Sequence, residues 1–259
     1  MKIPILYVGP PGVGKTAVIR SQYDHCEVLL LSSQTEEDIA GIPYRDGANE
    51  KRTIPRYIQR LQAGSDKKKT CLFLDELDKA RREVADTLLT LITHPQDFGI
   101  PDNTHIVAAA NPPEWGGGDG ISLPMMNRFA IVDFEVNIDS WESYMVNKYG
   151  SSEFLTNVLN AIRSNKFPFL EVNGEGLAWR LTSPRSLDNA IGALLHNIDG
   201  AKDIVKGLVT PNVASGLLLI HNNSGATINP VKTSDEIQLT SRGIGASAIK
   251  RKPLIRDFR

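Results

Sequence analysis

Short apolar runs recur along the first half of the chain, and each is closed by turn or polar residues. They have the length of strands buried on both faces, as in a parallel sheet. A helical stripe lies between the third and fourth runs; it consists of Val84, Leu88, Leu91 and Ile92. This alternation predicts an α/β fold with a parallel sheet. The predicted strands are residues 3–8, 26–31, 70–74, 104–110 and 130–134.

The pattern changes after residue 136, where strand-like runs give way to helical periodicity. Asp139 with Glu142 three residues later resembles a capping box at the start of a helix. Further helices are predicted for residues 152–164, 184–197 and 212–221. The chain is therefore expected to contain an α/β domain and a small helical domain.

Three parts follow from these changes of pattern: residues 1–136, 137–221 and 222–259. The last part is rich in Asn, Ser, Gly and Thr and has a basic end. It is interpreted as a solvated extension, with contact to nucleic acid or to an acidic partner as the alternative.

Composition narrows the class of protein. The 259 residues are 41% hydrophobic and 23% charged, with a formal net charge of -1. This balance is typical of a globular protein and does not favour nucleic acid or membrane partners. No run approaches the length of a membrane span, so a cytoplasmic location is expected. The two cysteines, Cys26 and Cys71, lie in or beside apolar runs and are expected to be reduced, buried thiols without a zinc or disulfide framework.

A glycine-rich loop carries the strongest chemical signal. It follows the first predicted strand, precedes a predicted helix from Lys15 to about Gln22, and matches the pattern G-x-x-x-x-G-K-[ST]. Glycines let main-chain N–H groups point inward, which forms an anion nest at a helix N-terminus. Lys15 is expected to contact the β- and γ-phosphates, and the Thr16 hydroxyl to ligate Mg²⁺. The predicted nucleotide-binding residues are Gly9, Pro10, Pro11, Gly12, Val13, Gly14, Lys15, Thr16 and Ala17.

An acid pair closes the third apolar run, LFLDE. Asp75 and Glu76 would lie at the carboxyl edge of the sheet, where open α/β folds bind ligands. Asp75 is expected to hold Mg²⁺ directly or through water, and Glu76 to orient or deprotonate the attacking water. The sequence therefore predicts an Mg²⁺-dependent ATPase whose metal ligands are Thr16 and Asp75.

Three further polar residues are candidates, and two of them, Asn111 and Arg185, have two interpretations each. Asn111 closes the fourth run, where an amide positions water against a γ-phosphate or simply ends a strand. Arg128 precedes the fifth run. Arg185 follows Ser183 and Pro184, which suit an N-cap and a first helical position. A cation there opposes the helix dipole, so either phosphate binding or a surface salt bridge would account for it.

The order of these motifs resembles a MoxR-like AAA+ ATPase, in the branch that includes dynein-related and midasin-type modules. The resemblance covers about residues 3–200, and its most specific parts beyond the glycine loop are residues 75–92 and 111–129. It implies a P-loop NTPase fold with a five-stranded parallel sheet of order 5-1-4-3-2 and a helical lid. It also implies that subunits assemble into a hexameric ring.

The resemblance also implies roles for single residues. Lys15 and Thr16 would be the Walker A contacts, and Asp75 with Glu76 the Walker B pair. Asn111 would be sensor 1, Arg128 the arginine finger that reaches the neighbouring subunit's nucleotide, and Arg185 sensor 2. The implied activity is ATP-driven remodelling of a partner protein, which often carries a von Willebrand factor A domain.

Two alternatives to a remodelling chaperone remain open from the sequence. The first is a nucleic-acid-associated motor or loader, and the second is a nucleotide-gated scaffold with little turnover. An insertion at residues 41–64 is interpreted as a solvated loop or as a pore lining that grips a partner. Its candidate side chains are Tyr44, Arg45, Arg52, Arg56 and Tyr57.

Overall fold

The computed structural model describes residues 2–115, 120–173 and 180–224. The glycine-rich part of the run 111–129 and most of the extension 222–259 lie outside the described residues. The described strands are β1 (Ile5–Val8), β2 (His25–Leu30), β3 (Pro43–Asp46), β4 (Asn49–Arg52), β5 (Thr70–Asp75), β6 (Thr104–Ala110), β7 (Ala130–Asp133), β8 (Glu171–Asn173) and β9 (Arg180–Thr182).

Helices fill the intervals between the strands of the first half and make up most of the second half. The described helices are α1 (Lys15–Ser21), α2 (Glu36–Ala40), α3 (Arg56–Ala63), α4 (Arg82–Thr93), α5 (Leu123–Met126), α6 (Ile138–Tyr149), α7 (Glu153–Arg163), α8 (Pro184–Leu195), α9 (Ala201–Leu208) and α10 (Pro211–Asn223). In this part of the chain, no helix has both the length and the apolar character needed to cross a membrane.

The described residues divide into two compact units. The first contains residues 2–11 and 15–135, and the second contains residues 12–14 and 136–224. The first unit is built on the sheet and the second on helices. Each unit has its own apolar core.

Five parallel strands form the sheet of the first unit, in the order β2-β5-β6-β1-β7. Counted along the chain within this sheet alone, and read from the β7 edge, the order is 5-1-4-3-2. The α/β class with a five-stranded parallel sheet is therefore confirmed. In this order β5 and β6 lie between other strands, and the ends of β1, β5 and β6 meet at one edge of the sheet.

Strand β5 is buried on both faces, as its apolar run predicts. Leu72 and Leu74 pack on one face with the stripe of α4, and Phe73 packs on the other face with Ile19 of α1. All four stripe residues of α4 are buried. Burial on both sides fixes the register of β5 and hence the place where its terminal acid emerges.

The segment 41–64 differs from the predicted loop. It contains the antiparallel hairpin β3–β4 and the helix α3. Every side chain of the hairpin strands is exposed, so no apolar alternation marks them in the sequence. The assignment of Tyr57 to a pore or solvated loop is wrong, because its ring is buried and its hydroxyl donates to the carbonyl oxygen of Ile39 at 2.8 Å.

The helical unit corrects one predicted cap. Helix α6 begins one residue earlier than the expected cap, and the Asn137 side chain accepts from the amide N of Ser140 at 2.9 Å. Asp139 and Glu142 instead pair with Arg163 of α7. Hydrogen bonds between a guanidinium and a carboxylate are strong. Both acids of the predicted capping box therefore bind the Arg163 guanidinium instead of capping α6. The sequence pattern also did not predict α9, β8 and β9, which are short.

An ion pair joins α6 to α8 within this unit. The Lys148 ammonium donates to the Asp188 carboxylate at 2.7 Å, and the Tyr149 hydroxyl donates to the same carboxylate at 2.8 Å. Three turns of apolar side chains on α8 are buried beneath this contact. The start of α8, which carries Arg185, is therefore held by both packing and charge.

Two helical glycines, Gly216 of α10 and Gly207 of α9, provide a matched test of the packing of α10 against Phe167. The Gly216→Ala methyl would lie 2.1 Å from Cε1 of the buried Phe167 ring. The Gly207→Ala methyl would meet no atom within 4 Å. We expect Gly216→Ala to lower the free energy of unfolding by about 1–3 kcal/mol through overpacking. Gly207→Ala should raise it by up to about 0.5–1 kcal/mol, since alanine is the better helix former. Urea unfolding of both variants measures this, and shifts of the same sign would contradict the packing.

Candidate functional site

The glycine loop runs from the end of β1 to the first residue of α1. Gly12 and Gly14 have φ of +76° and +90°, a region that favours glycine. A Cβ at Gly14 would meet no atom within 4 Å, so backbone conformation rather than crowding requires glycine there. A Cβ at Gly9 would lie 2.7 Å from the carbonyl oxygen of Phe134, so close packing requires that glycine. The loop thus has the positive-φ glycines that let main-chain N–H groups point inward in anion nests.

Lys15 is the charged centre of the loop, and only 8% of it is exposed. Its Nζ donates to the carbonyl oxygens of Gly9 at 2.6 Å and Pro10 at 2.8 Å, and to Oδ1 of Asn111 at 2.9 Å. A buried ammonium is costly unless its donors are satisfied, and these three acceptors meet that need. The contact with Asn111 joins the loop to the end of β6.

Thr16 and Asp75 meet across the same edge of the sheet. The Thr16 hydroxyl, in the first turn of α1, donates to Oδ2 of Asp75 at 2.7 Å. Asp75 is the last residue of β5, and its Oδ1 accepts from the amide N of Glu76 at 3.0 Å. A hydroxyl and a carboxylate are the oxygen ligands that Mg²⁺ prefers. These two side chains therefore fit the predicted metal site.

Glu76 occupies a left-handed backbone conformation, with φ 57° and ψ 45°. This turn ends the strand abruptly and begins a 3-10 segment, Leu77–Lys79. The Lys79 ammonium donates to Oε1 of Glu76 at 3.1 Å. Non-glycine residues rarely adopt this conformation, and such strain concentrates at functional sites. Glu76 thus contacts the Asp75 carboxylate through its amide N and the Lys79 ammonium through its side chain.

Asp78 is a site residue that sequence reasoning missed. It is 5% exposed, and its Oδ1 accepts from the amide N of Asn111 at 3.0 Å. Asn111 is thereby held through its backbone by Asp78 while its side chain contacts Lys15. The signal was the third acid in the run DELD, which the sequence alone could not distinguish from a solvated charge.

None of the contacts given below for Arg128 and Arg185 is with Lys15, Thr16, Asp75 or Asn111. Arg128 follows α5, and its guanidinium donates to Oγ1 of Thr93 at 3.2 Å and to the carbonyl oxygen of Pro124 at 2.9 Å. The Arg185 side chain is exposed in the first turn of α8, behind the predicted Ser183 cap and Pro184. The amide N of Arg185 donates to the carbonyl oxygen of Gly12, a residue of the same compact unit, at 3.1 Å.

The left-handed turn at Glu76 generates a stability prediction. Glu76→Gly should have a free energy of unfolding about 0.5–1 kcal/mol above that of Glu76→Gln. The left-handed strain of about 1–2 kcal/mol exceeds the extra chain entropy of glycine, about 0.5–1 kcal/mol. Chemical denaturation of the two variants measures the difference.

A matched pair at Glu83, in the first turn of α4, serves as the control. There the order should reverse, since glycine weakens a helix with ordinary dihedral angles. An advantage of glutamine over glycine at both positions would show that the Glu76 turn is unstrained.

Comparisons with known proteins place this geometry in a family. Residues 5–132 match the family described as ATPase family associated with various cellular activities (AAA). The chain is also 30% identical over 150 residues to midasin from Giardia intestinalis. That stretch is 51% of this chain and 3% of that protein, so the chain spans a small part of its relative.

Solved structures of RuvB from Thermotoga maritima are also similar in outline. The structure titled as the Holliday junction branch migration motor is 15% identical, with a TM-score of 0.44, over 85% of this chain and 62% of that one. The T158V variant is 16% identical, with a TM-score of 0.45 and the same coverage. Together with the P-loop geometry, the family match leads to one conclusion. Residues 5–132 of this chain form a domain that matches the AAA ATPase family.

Proposed function

We propose that this chain is an ATP-driven remodelling motor, or chaperone, of the MoxR-like, dynein-related branch of AAA+ proteins. The observation that carries the proposal is the convergence of Lys15, Thr16, Asp75 and Asn111 at one edge of the sheet. The 30% identity with midasin over 150 residues supports the branch. The proposed domains are an α/β domain of residues 1–136 and a helical lid of residues 137–221.

Triphosphate binding is assigned to the loop of residues 9–17. The ammonium of Lys15 already has carbonyl and amide oxygens as acceptors, and phosphate oxygens are better acceptors because they are charged. Thr16 and Asp75 would hold Mg²⁺, directly or through water, and the ion would neutralise charge on the phosphates. The helix N-terminus at Lys15 adds a favourable dipole for the anion.

Hydrolysis is assigned to Glu76 with support from Asn111. The Glu76 carboxylate would orient a water molecule for in-line attack on the γ-phosphate and accept its proton. Lys79 limits the positions of that carboxylate through the contact at 3.1 Å. Asp78 fixes the backbone of Asn111, so that the amide would be presented to the water in one orientation.

Assembly completes the proposed site. Arg128 would act in trans, as an arginine finger on the nucleotide of the neighbouring subunit in a hexamer. Its support is its position at the end of α5 among exposed apolar side chains, notably Leu123 and Met126, which an adjoining subunit would cover. Such a finger contributes about 10³–10⁵ in rate in related P-loop systems, so turnover should depend on assembly.

In the proposed cycle of ATP hydrolysis, the helical lid transmits the reaction to a partner protein. Arg185 would bind phosphate as sensor 2, and hydrolysis would rotate the lid against the α/β domain to move a partner protein. A partner with a von Willebrand factor A domain is the first candidate to test.

An alternative target is nucleic acid, which the exposed Arg45, Arg52 and Arg56 on the hairpin and α3 would favour. A steep fall of DNA or RNA binding with salt would support that alternative, and a flat response would support a protein partner.

Replacement of Glu76 by Gln tests the catalytic assignment. The variant should bind ATP with unchanged affinity, since Lys15, Thr16 and Asp75 remain, and its turnover should fall by at least about 10²–10⁴-fold. Steady-state phosphate release and nucleotide titration measure the two quantities. Normal hydrolysis by the variant would remove Glu76 from its role. Near-zero turnover of the unmodified chain in its assembled form would favour a nucleotide-gated scaffold instead.

A mixing experiment tests whether Arg128 acts in trans. Arg128→Ala should leave ATP binding by an isolated subunit nearly unchanged and lower turnover of the assembly by about 10³-fold or more. Arg128→Lys is the matched variant that keeps the charge and loses the planar fork.

Mixed assemblies of Arg128→Ala and Glu76→Gln subunits should recover part of the activity. At some interfaces an intact Glu76 then faces an intact Arg128 from the neighbouring subunit. No recovery on mixing, or a large loss of binding by isolated Arg128→Ala subunits, would contradict the assignment.

A further inference from the structure

Cys26 and Cys71, the two cysteines of the sequence, are direct neighbours in the sheet. Cys26 is the second residue of β2, and Cys71 is the second residue of β5. The strands are parallel, and their register pairs these two residues with each other. Paired residues of adjacent strands point to the same face, so both thiols lie on the face covered by Ile19 and Tyr23.

The spacing of the strands suits a covalent bond between the two sulfurs. Neighbouring strands lie about 4.7–4.9 Å apart, and disulfides join residues with Cα atoms about 4.4–6.8 Å apart. The interaction of the two thiols is also the largest cause of the pKa shift of each. They are 45 positions apart in the sequence, so only the folded sheet brings them together.

The two thiols have different environments. Cys71 is fully buried, whereas Cys26 is partly accessible. The hydrogen bond from the Cys71 thiol lowers the pKa of Cys26, and the Arg20 guanidinium lowers it further. The same hydrogen bond, together with burial, raises the pKa of Cys71. Cys26 is therefore the thiol that ionises more readily and that a solute can reach, whereas Cys71 is buried beside it.

We propose that Cys26 and Cys71 form a redox modification site, in which hydrogen peroxide oxidises Cys26 and Cys71 resolves it as an internal disulfide. The Cys26 thiolate attacks the peroxide oxygen, the O–O bond breaks, and Cys26 becomes a sulfenic acid as the first water leaves after protonation. The Cys71 sulfur then attacks the Cys26 sulfur, and the departing hydroxide takes the Cys71 proton as the second water. Two thiols lose two electrons to one peroxide, which balances the reaction.

The pair has a chemical consequence that one cysteine would lack. A sulfenic acid without a nearby thiol proceeds to sulfinic acid, which thiol reductants do not reverse. Capture by Cys71 stops the oxidation at a disulfide that a dithiol reduces. The bond would cross-link β2 to β5, the strand that ends in Asp75.

Hydrogen peroxide treatment of the full chain, followed by acid quench, unfolding and maleimide labelling, tests the proposal. Both thiols should disappear together, the intact mass should fall by two hydrogen atoms, and dithiothreitol should restore both. The reaction should be at least about tenfold faster in the folded chain than in urea, where proximity is lost. Retention of oxygen atoms on Cys26, or disulfide-linked dimers as the main product, would overturn the proposal.

Two variants separate the steps. In Cys71→Ala the sulfenic acid on Cys26 should not be converted to a disulfide, so dimedone present during the treatment should trap it before it is oxidised to sulfinic acid. Cys26→Ser should leave Cys71 reduced under the same treatment and open to maleimide only after unfolding. Dimedone labelling of Cys26 in the unmodified chain equal to that in Cys71→Ala would show that Cys71 does not resolve it.

Discussion

The burial of one ammonium group organises the proposed nucleotide site. Lys15 has little solvent contact, so its charge must be compensated by nearby acceptors. Two come from the glycine loop and one from Asn111, at the end of a strand that β1 pairs with directly. The loop, the first turn of α1 and the end of β6 are therefore held around a single cation. In the proposed function, this is the cation that an incoming triphosphate would meet.

The end of β5 shows how a short segment supports several roles. Burial of both faces fixes the strand until Asp75, and the left-handed Glu76 then turns the chain sharply. The following 3-10 turn sends Asp78 inward to Asn111 and Lys79 back to Glu76. Within four residues the chain thus contacts Thr16 through Asp75, Lys79 through Glu76 and Asn111 through Asp78, which a continued strand or a straight helix would not allow.

The proposed thiol pair depends on the same sheet register as the proposed nucleotide site. The register that places Asp75 at the sheet edge also sets Cys71 opposite Cys26, beneath α1. Nucleotide chemistry and thiol chemistry therefore depend on one strand alignment. Because β5 carries both groups, its position in the sheet matters to each of them.

The sequence by itself determined the fold class, the loop of residues 9–17 and the acid pair. These features are local: strand burial depends on runs of apolar residues, and phosphate-binding loops need glycines at fixed spacing. Tertiary structure alone decided the buried role of Tyr57, the Arg163 contacts that displaced the expected cap, and the pairing of Cys26 with Cys71. The tertiary structure also showed that Asp78 is buried and not a solvated charge. Its partner Asn111 is 33 positions away, and neither the burial of Asp78 nor this contact can be inferred from the adjacent residues in the sequence. Such contacts depend on which helices and strands pack against each other, and that packing is known only once the whole chain has folded.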